Sequence, residues 1–282
     1  MFERIRIIKW LLIFFLILSF FISCNGGEME KTKIHYNALK DVPVSAWEKL
    51  AQKKIYFGHQ SVGYNILDGV KELMKEHTEI KLNIVETADK ADSIKGGIFA
   101  HSRVGSNCDP KSKIDNFKKL MNEALGENTD IAFFKFCYID FNPGTDVEKI
   151  FAEYKDAILK LKKEYPATEF IHVTVPLVKI QTGPKAWIKK IIGRSIDGTS
   201  DNAARCKFNE LLKKEYEGTD PIFDLAKAES TYPDGKRESF INQDGNTCYA
   251  LIPAYTDDGG HLNSTGQKVA ASRLLLILTE KL

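Results

Sequence analysis

The run Asp130–Phe136 carries apolar residues on both faces, Ile131 to Phe134 in succession, so both faces of any strand it forms must be buried. A strand buried on both faces belongs in the middle of a parallel sheet covered by helices on each side. The rest of the chain reads accordingly. Lys54–Phe57, Ile80–Glu86, Glu169–Leu177 (closed by Pro176) and Pro221–Leu225 are strand-like. Val62–His77, Ser112–Leu125, Thr145–Tyr165, Asp201–Tyr216 and Ser264–Leu282 carry apolar residues at helical spacing. In Thr145–Tyr165 these are Val147, Ile150, Tyr154, Ile158 and Leu161. Residues 87–111, with their Gly, Ser and Asn, read as one long loop. The expected fold is a three-layer α/β/α domain on a five-stranded parallel sheet. In such sheets functional sites gather at the C-terminal ends of the strands.

Two segments some 200 residues apart would meet at that edge. Gly58-His59-Gln60-Ser61-Val62-Gly63 follows the first strand. A serine at a strand-to-helix turn is placed to display a nucleophile. Asp257-Asp258-Gly259-Gly260-His261-Leu262-Asn263 precedes the last helix, for which Asn263 or Ser264 is the expected N-cap. A free serine hydroxyl is a poor nucleophile near neutral pH and needs a base. His261 is the expected base and Asp258 the group that orients it. Asp257 reads as a solvated turn residue; His59 reads either as a group that approaches the site or as a histidine that hydrogen-bonds backbone in its turn, the latter being favoured.

The arrangement resembles the SGNH (GDSL-type) hydrolase superfamily, with its serine in a first block and Asp-x-x-His in a last. The resemblance implies a flavodoxin-like fold, esterase activity through Ser61, His261 and Asp258, and no cofactor or metal. The first block is altered, because Gly58-His59-Gln60-Ser61 stands where Gly-Asp-Ser is usual. The third is altered too: Cys137-Tyr138-Ile139-Asp140 stands where Gly-x-Asn-Asp is usual, so the oxyanion-binding Asn is missing. Tyr138 or the long loop then supplies a donor, or the oxyanion hole is weaker. Asp140 is placed at the third block's Asp, and Gly105 is the candidate for the second block's glycine N–H. Arg103 and Asn107 are candidates to touch substrate. The Ser61 N–H is a further donor, at a helix start that favours negative charge. A non-catalytic glycan-binding protein on the same fold, and an acyltransferase, are the alternative readings.

The ends and composition bound the setting. Arg4, Arg6 and Lys9 precede the apolar run Trp10–Phe21, which ends in Phe21-Ile22-Ser23-Cys24. A run of about a dozen apolar residues suits a signal peptide and is short of the ~20 a membrane span needs. The sequence around Cys24 resembles a bacterial lipobox. Residues 1–23 are therefore expected to be a lipoprotein signal peptide, with an uncleaved N-terminal anchor as the alternative, Cys24 the lipidation site, 24–40 a tether and 41–282 the hydrolase-like domain. The implied location is the bacterial cell envelope, extracytoplasmic and lipid-anchored to a membrane. Without residues 1–23, Lys+Arg and Asp+Glu balance, so a nucleic-acid partner is not expected. The expected substrate is a small-molecule or glycan ester.

The four remaining cysteines show no CxxC spacing, which argues against zinc. Cys108 and Cys248, both in loop-like stretches, are the expected disulfide pair, with Cys137 and Cys206 free. Residues 179–200 form an insertion in which Pro184–Arg194 reads as an amphipathic helix. It sets Trp187, Ile188, Ile191 and Ile192 against Lys185, Lys189, Lys190 and Arg194. A lid, an anionic-glycan patch, a membrane contact and a helix packed on the domain are all open for it.

Overall fold

The computed structural model describes residues 38–87 and 96–280. The proposed signal peptide, Cys24 and most of the tether lie outside the described residues. A short turn over Leu39–Asp41 buries Leu39 and leads into Val42, also buried. The packed domain therefore already includes Leu39, two residues before the boundary expected at Asp41.

The central sheet holds β1 (Lys54–His59), β2 (Ile84–Glu86), β3 (Ile98–Arg103), β4 (Ile131–Phe134) and β5 (Glu169–Phe170). Their order is β2-β3-β1-β4-β5, every pairing parallel. β6 (His172–Val173) continues directly from β5 and pairs in parallel with β7 (Ile222–Phe223). Apart from the short edge strand β2, the spatial order is β3-β1-β4-β5/β6-β7. That is the flavodoxin-type winding, with β3 as the second strand of the series.

This corrects the reading of residues 87–111 as a loop. Ile98-Phe99-Ala100-His101-Ser102-Arg103 is a full strand paired along all of β1. His101 and Ser102 interrupt its apolar run, yet both are buried. Ile80–Glu86 contributes only the three-residue β2.

Alternate residues of the strands point to two separate cores. Ile55, Phe57, Phe99, Ile131 and Phe133 face one side. There they meet α1 (Val44–Ala51), α2 (Ser61–Glu76), α7 (Leu225–Ser230) and α8 (Ser264–Thr279). Tyr56, Ala100, Ala132, Phe134 and Phe170 face the other. They meet α3 (Pro110–Leu120), α4 (Val147–Glu164) and α6 (Thr199–Tyr216). The remaining helix, α5 (Pro184–Ile191), lies in the insertion. α7 and the antiparallel hairpin β8 (Ser239–Ile241) with β9 (Thr247–Tyr249) were not evident in the sequence pattern.

The hairpin decides the cysteine geometry. Cys206 on α6 lies beside Cys248 on β9: its thiol donates to the Thr247 carbonyl at 3.9 Å, and both cysteines line one cavity. Cys108 lies instead in the turn between Ser106 and Asp109 and donates its N–H to Asp140. The fold thus brings Cys206, not Cys108, to Cys248, and all four thiols are free.

α2 and α8 cross closely where α2 carries Gly69. A Cβ at Gly69 would lie 2.3 Å from the Gln267 carbonyl oxygen and 2.9 Å from Ala271 Cβ. The crossing matters because α2 begins with Ser61 and α8 follows His261. Gly69→Ala must push the helices apart, since backbone cannot rotate away. Overpacking of this kind costs about 1–3 kcal/mol. Urea unfolding should show a loss of that size; an unchanged midpoint would mean the crossing is loose.

Candidate active site

Ser61 is the first residue of α2 and leaves β1 through one residue, Gln60, in extended conformation. The turn is pinned by its own neighbours. The Gln60 carbonyl accepts the Gly63 N–H at 2.9 Å and His59 Nδ1–H at 2.8 Å. Its side chain donates to the Val104 and Gly105 carbonyls at 3.0 and 2.8 Å. The ends of β1 and β3 are thereby tied beneath the serine. His59 is fully buried under the helix start, and only a glycine at 63 leaves room for its ring. A Cβ there would come within 2.1 Å of the imidazole.

With Nδ1–H committed to a carbonyl, His59 Nε2 is left bare. It accepts from His101 Nδ1–H at 3.0 Å. Burial, above all, pushes the His59 pKa down to about 3. His59 is therefore neutral near pH 7, which matches this hydrogen-bond assignment. Sequence reading saw His59 as a turn residue but missed His101, which it placed in a loop, and missed Gln60 as the tie between strands.

The opposite wall is the loop before α8. Asp258 Oδ1 accepts the N–H groups of Gly260 and His261 at 2.9 and 2.8 Å. Its Oδ2 accepts His261 Nδ1–H at 2.6 Å. His261 Nε2, so left as an acceptor, faces Ser61 Oγ at 3.0 Å. The Gly260 N–H first, then His261, hold the Asp258 carboxyl well below the usual carboxylate range. The loop is anchored on three sides. Thr256 Oγ1 accepts the Gly259 N–H at 2.9 Å, Lys179 N–H donates to the Gly259 carbonyl at 2.8 Å, and Leu262 N–H reaches Asn65 Oδ1 at 3.2 Å. Asn263 caps α8 through the N–H groups of Thr265 and Gly266. Asp257 is exposed, and its Oδ1 accepts from Asn263 Nδ2 at 3.3 Å.

Tyr138 stands beside this pair. Its ring meets His261 edge-on at 5.7 Å between centroids and lies so close to Gly260 that a Cβ there would be 2.9 Å from its hydroxyl. Arg205, a buried guanidinium on α6, holds the Tyr138 carbonyl at 2.7 Å and lies 5.8 Å from its ring. The Tyr138 hydroxyl has no hydrogen-bond partner among the described residues. Burial and then the Asp258 charge raise its pKa, so the phenol remains a donor.

The other candidates sit differently from expectation. Asp140 is buried and its oxygens are engaged internally. Oδ1 accepts Lys113 Nζ at 2.8 Å and Cys108 N–H at 3.0 Å, and Oδ2 accepts Cys137 N–H at 2.7 Å. It braces the Tyr138 turn and does not face the serine. Gly105 has φ +59° and lies against the Lys113 backbone, but its N–H is committed to Asn116 Oδ1 at 3.0 Å. The donor role expected of Gly105 is therefore already occupied by a protein acceptor. Arg103 is exposed and bonds Tyr64 Oη at 3.3 Å, while Asn107 lies exposed in the turn after Ser106.

The low His59 pKa has a measurable consequence. Between the unfolded value of 6.5 and the folded value of about 3, the unfolded chain takes up a proton that the folded chain refuses. This contribution leaves stability untouched above pH 6.5 and erodes it as the pH falls toward 3. The slope approaches about 1.4 kcal/mol per pH unit. His59→Gln, which can still donate to the Gln60 carbonyl, should flatten the acid side of a stability-versus-pH curve measured by urea unfolding. Parallel curves for the two proteins would contradict the assignment.

No known family pattern matches the chain, and no curated protein is similar to it in sequence. Solved structures similar to it include a GDSL-like lipase from Bacteroides thetaiotaomicron, at 12% identity and TM-score 0.48, covering 84% of this chain and 96% of the other. A carbohydrate esterase family 3 protein from Talaromyces cellulolyticus is similar at 16% identity and TM-score 0.44, covering 79% and 94%. A member of the lipolytic G-D-S-L family from Veillonella parvula is similar at 16% identity and TM-score 0.41, covering 78% and 94%.

Proposed function

We propose that this protein is a serine esterase of the SGNH type. The observation that carries the reading is the continuous hydrogen-bond path from Ser61 Oγ through His261 to Asp258. Ser61 Oγ attacks the ester carbonyl carbon while His261 Nε2 takes its proton. Asp258 fixes the His261 tautomer and stabilises the imidazolium that forms. The oxyanion develops near the Ser61 N–H, at the N-terminus of α2, where unpaired N–H groups and the helix dipole favour negative charge. The Tyr138 hydroxyl supplies a second donor in place of the missing Asn. His261 then passes its proton to the leaving alcohol, and water attacks the acyl-enzyme by the same route in reverse. In this reading the site works outside the cytoplasm, tethered through Cys24, on O-acyl groups of glycan or on lipid esters.

Hydrolysis of p-nitrophenyl acetate tests the relay. Ser61→Ala and His261→Ala should each lower kcat by on the order of 10⁴-fold with the melting temperature little changed. Asp258→Asn should cost as much or less. The Ser61→Ala/His261→Ala double variant should be hardly worse than either single one, because a catalytic unit is lost once. Additive losses, or full activity in Ser61→Ala, would remove Ser61 as nucleophile.

Tyr138→Phe isolates the second donor. Loss of one oxyanion donor should lower kcat on the order of a hundredfold. KM should stay near wild type, because the donor meets charge only in the transition state. A KM rise at constant kcat would instead make Tyr138 a substrate-binding group.

A further inference from the structure

The insertion leaves the sheet beside the catalytic loop and returns to the same place. Lys179 N–H donates to Gly259 O at 2.8 Å, and Gln181 N–H donates to Asp197 O at 3.0 Å. The excursion is thus closed at its base, next to the loop that carries Asp258. Its helix α5 is bracketed by Gly183 and Gly193, with φ of +81° and +68°. Ala186 is turned inward. The opposite side presents Trp187, Ile188, Ile191 and Ile192, which are 66%, 52%, 62% and 56% exposed. Positions spaced one, four and five apart form a single stripe on a helix.

Folding leaves this stripe uncovered. Among the described residues nine large hydrophobic side chains are exposed, and four of them are here. Single exposed apolar residues need no explanation, but a cluster does. The charge around it is one-sided. Residues 181–197 contain Lys185, Lys189, Lys190 and Arg194 against one acid, Asp197. Asp197 is paired to Lys189 at 2.6 Å, which leaves the segment with a net positive charge. Trp and Ile on one face with Lys and Arg beside them is the composition of a helix that lies in a membrane interface. The basic side chains select an anionic surface.

We propose that residues 184–194 dock on an anionic phospholipid surface, with Trp187, Ile188, Ile191 and Ile192 seated at the level of the headgroups and upper acyl chains. The contact is separate from any N-terminal lipid, and it holds the catalytic loop at a membrane whether or not Ser61 acts on an ester. The chain has three tryptophans, Trp10, Trp47 and Trp187, and Trp47 is buried. The full chain carrying Trp10→Phe and Trp47→Phe reports on Trp187 alone. With vesicles of phosphatidylglycerol and phosphatidylcholine carrying brominated acyl chains, Trp187 emission should shift to the blue and be quenched severalfold. In phosphatidylcholine vesicles, or at high salt, both effects should fall severalfold. Because the readout is Trp187 itself, attachment through another part of the chain does not produce it.

Ile188→Ser with Ile191→Ser should abolish most of the quenching while hydrolysis of a soluble ester stays at the wild-type rate. If Trp47→Phe lowers the melting temperature, the difference between wild type and Trp187→Phe gives the same signal. Trp187 emission that stays at its exposed position with both kinds of vesicle overturns the proposal. A blue shift that grows with protein concentration in the absence of lipid also overturns it, by making a second copy of the chain the occupant of this face.

Discussion

One 3.0 Å hydrogen bond, from Ser61 to His261, joins the exit of the first strand to the last loop. The two residues are 200 apart in sequence, so the bond exists only if the sheet is wound correctly and α2 and α8 pack at the right distance. The parallel sheet provides the first condition, because it sends strand ends to one edge. The close crossing at Gly69 provides the second. A side chain there would separate the helix that begins with Ser61 from the helix that follows His261. Packing far from the site thus fixes a distance within it.

The sequence pattern carried the sheet where it was apolar and lost it where it was polar. Ile131–Phe134, buried on both faces, was legible as a central strand. Ile98–Arg103 was not, because His101 and Ser102 look like loop residues. Both are buried because partners wait for them: Tyr56 Oη lies 2.7 Å from Ser102 Oγ, and His59 Nε2 lies 3.0 Å from His101 Nδ1. A polar residue in a strand is affordable when its partner comes from the neighbouring strand, and a partner 42 or 46 residues away leaves no local signal. The placement of Ser61, Asp258 and His261 was legible because chain order and strand ends determine it. Gly105 and Asp140 misled for the opposite reason. Position along the chain put each near the site, but their donors and acceptors are spent on Asn116, Lys113, Cys108 and Cys137.

These spent groups have a use. Buried Lys113 and Asp140 form an ion pair that also gathers the Ser106 carbonyl and two backbone N–H groups, at Cys108 and Cys137. Breaking a buried pair leaves an uncompensated charge and costs several kcal/mol, so its geometry is enforced. It locks the turn that begins at Tyr138, and Arg205 holds that turn from the other side. The Tyr138 ring, whose hydroxyl is placed by the whole ring, is thereby fixed beside Gly260 and His261.

The Asp258–His261 pair is partly open to water. Solvent screens charge, so Coulomb attraction alone would hold an exposed Asp and His only loosely. The loop compensates with backbone. Two N–H groups bind Asp258 Oδ1, Gly259 adopts φ +97°, and Thr256 and Lys179 fasten that glycine from both sides. Orientation is thereby written into the turn and not left to burial. An apolar surface brought over this loop would then strengthen an arrangement already in place, by removing water from a carboxylate whose hydrogen bonds are already made.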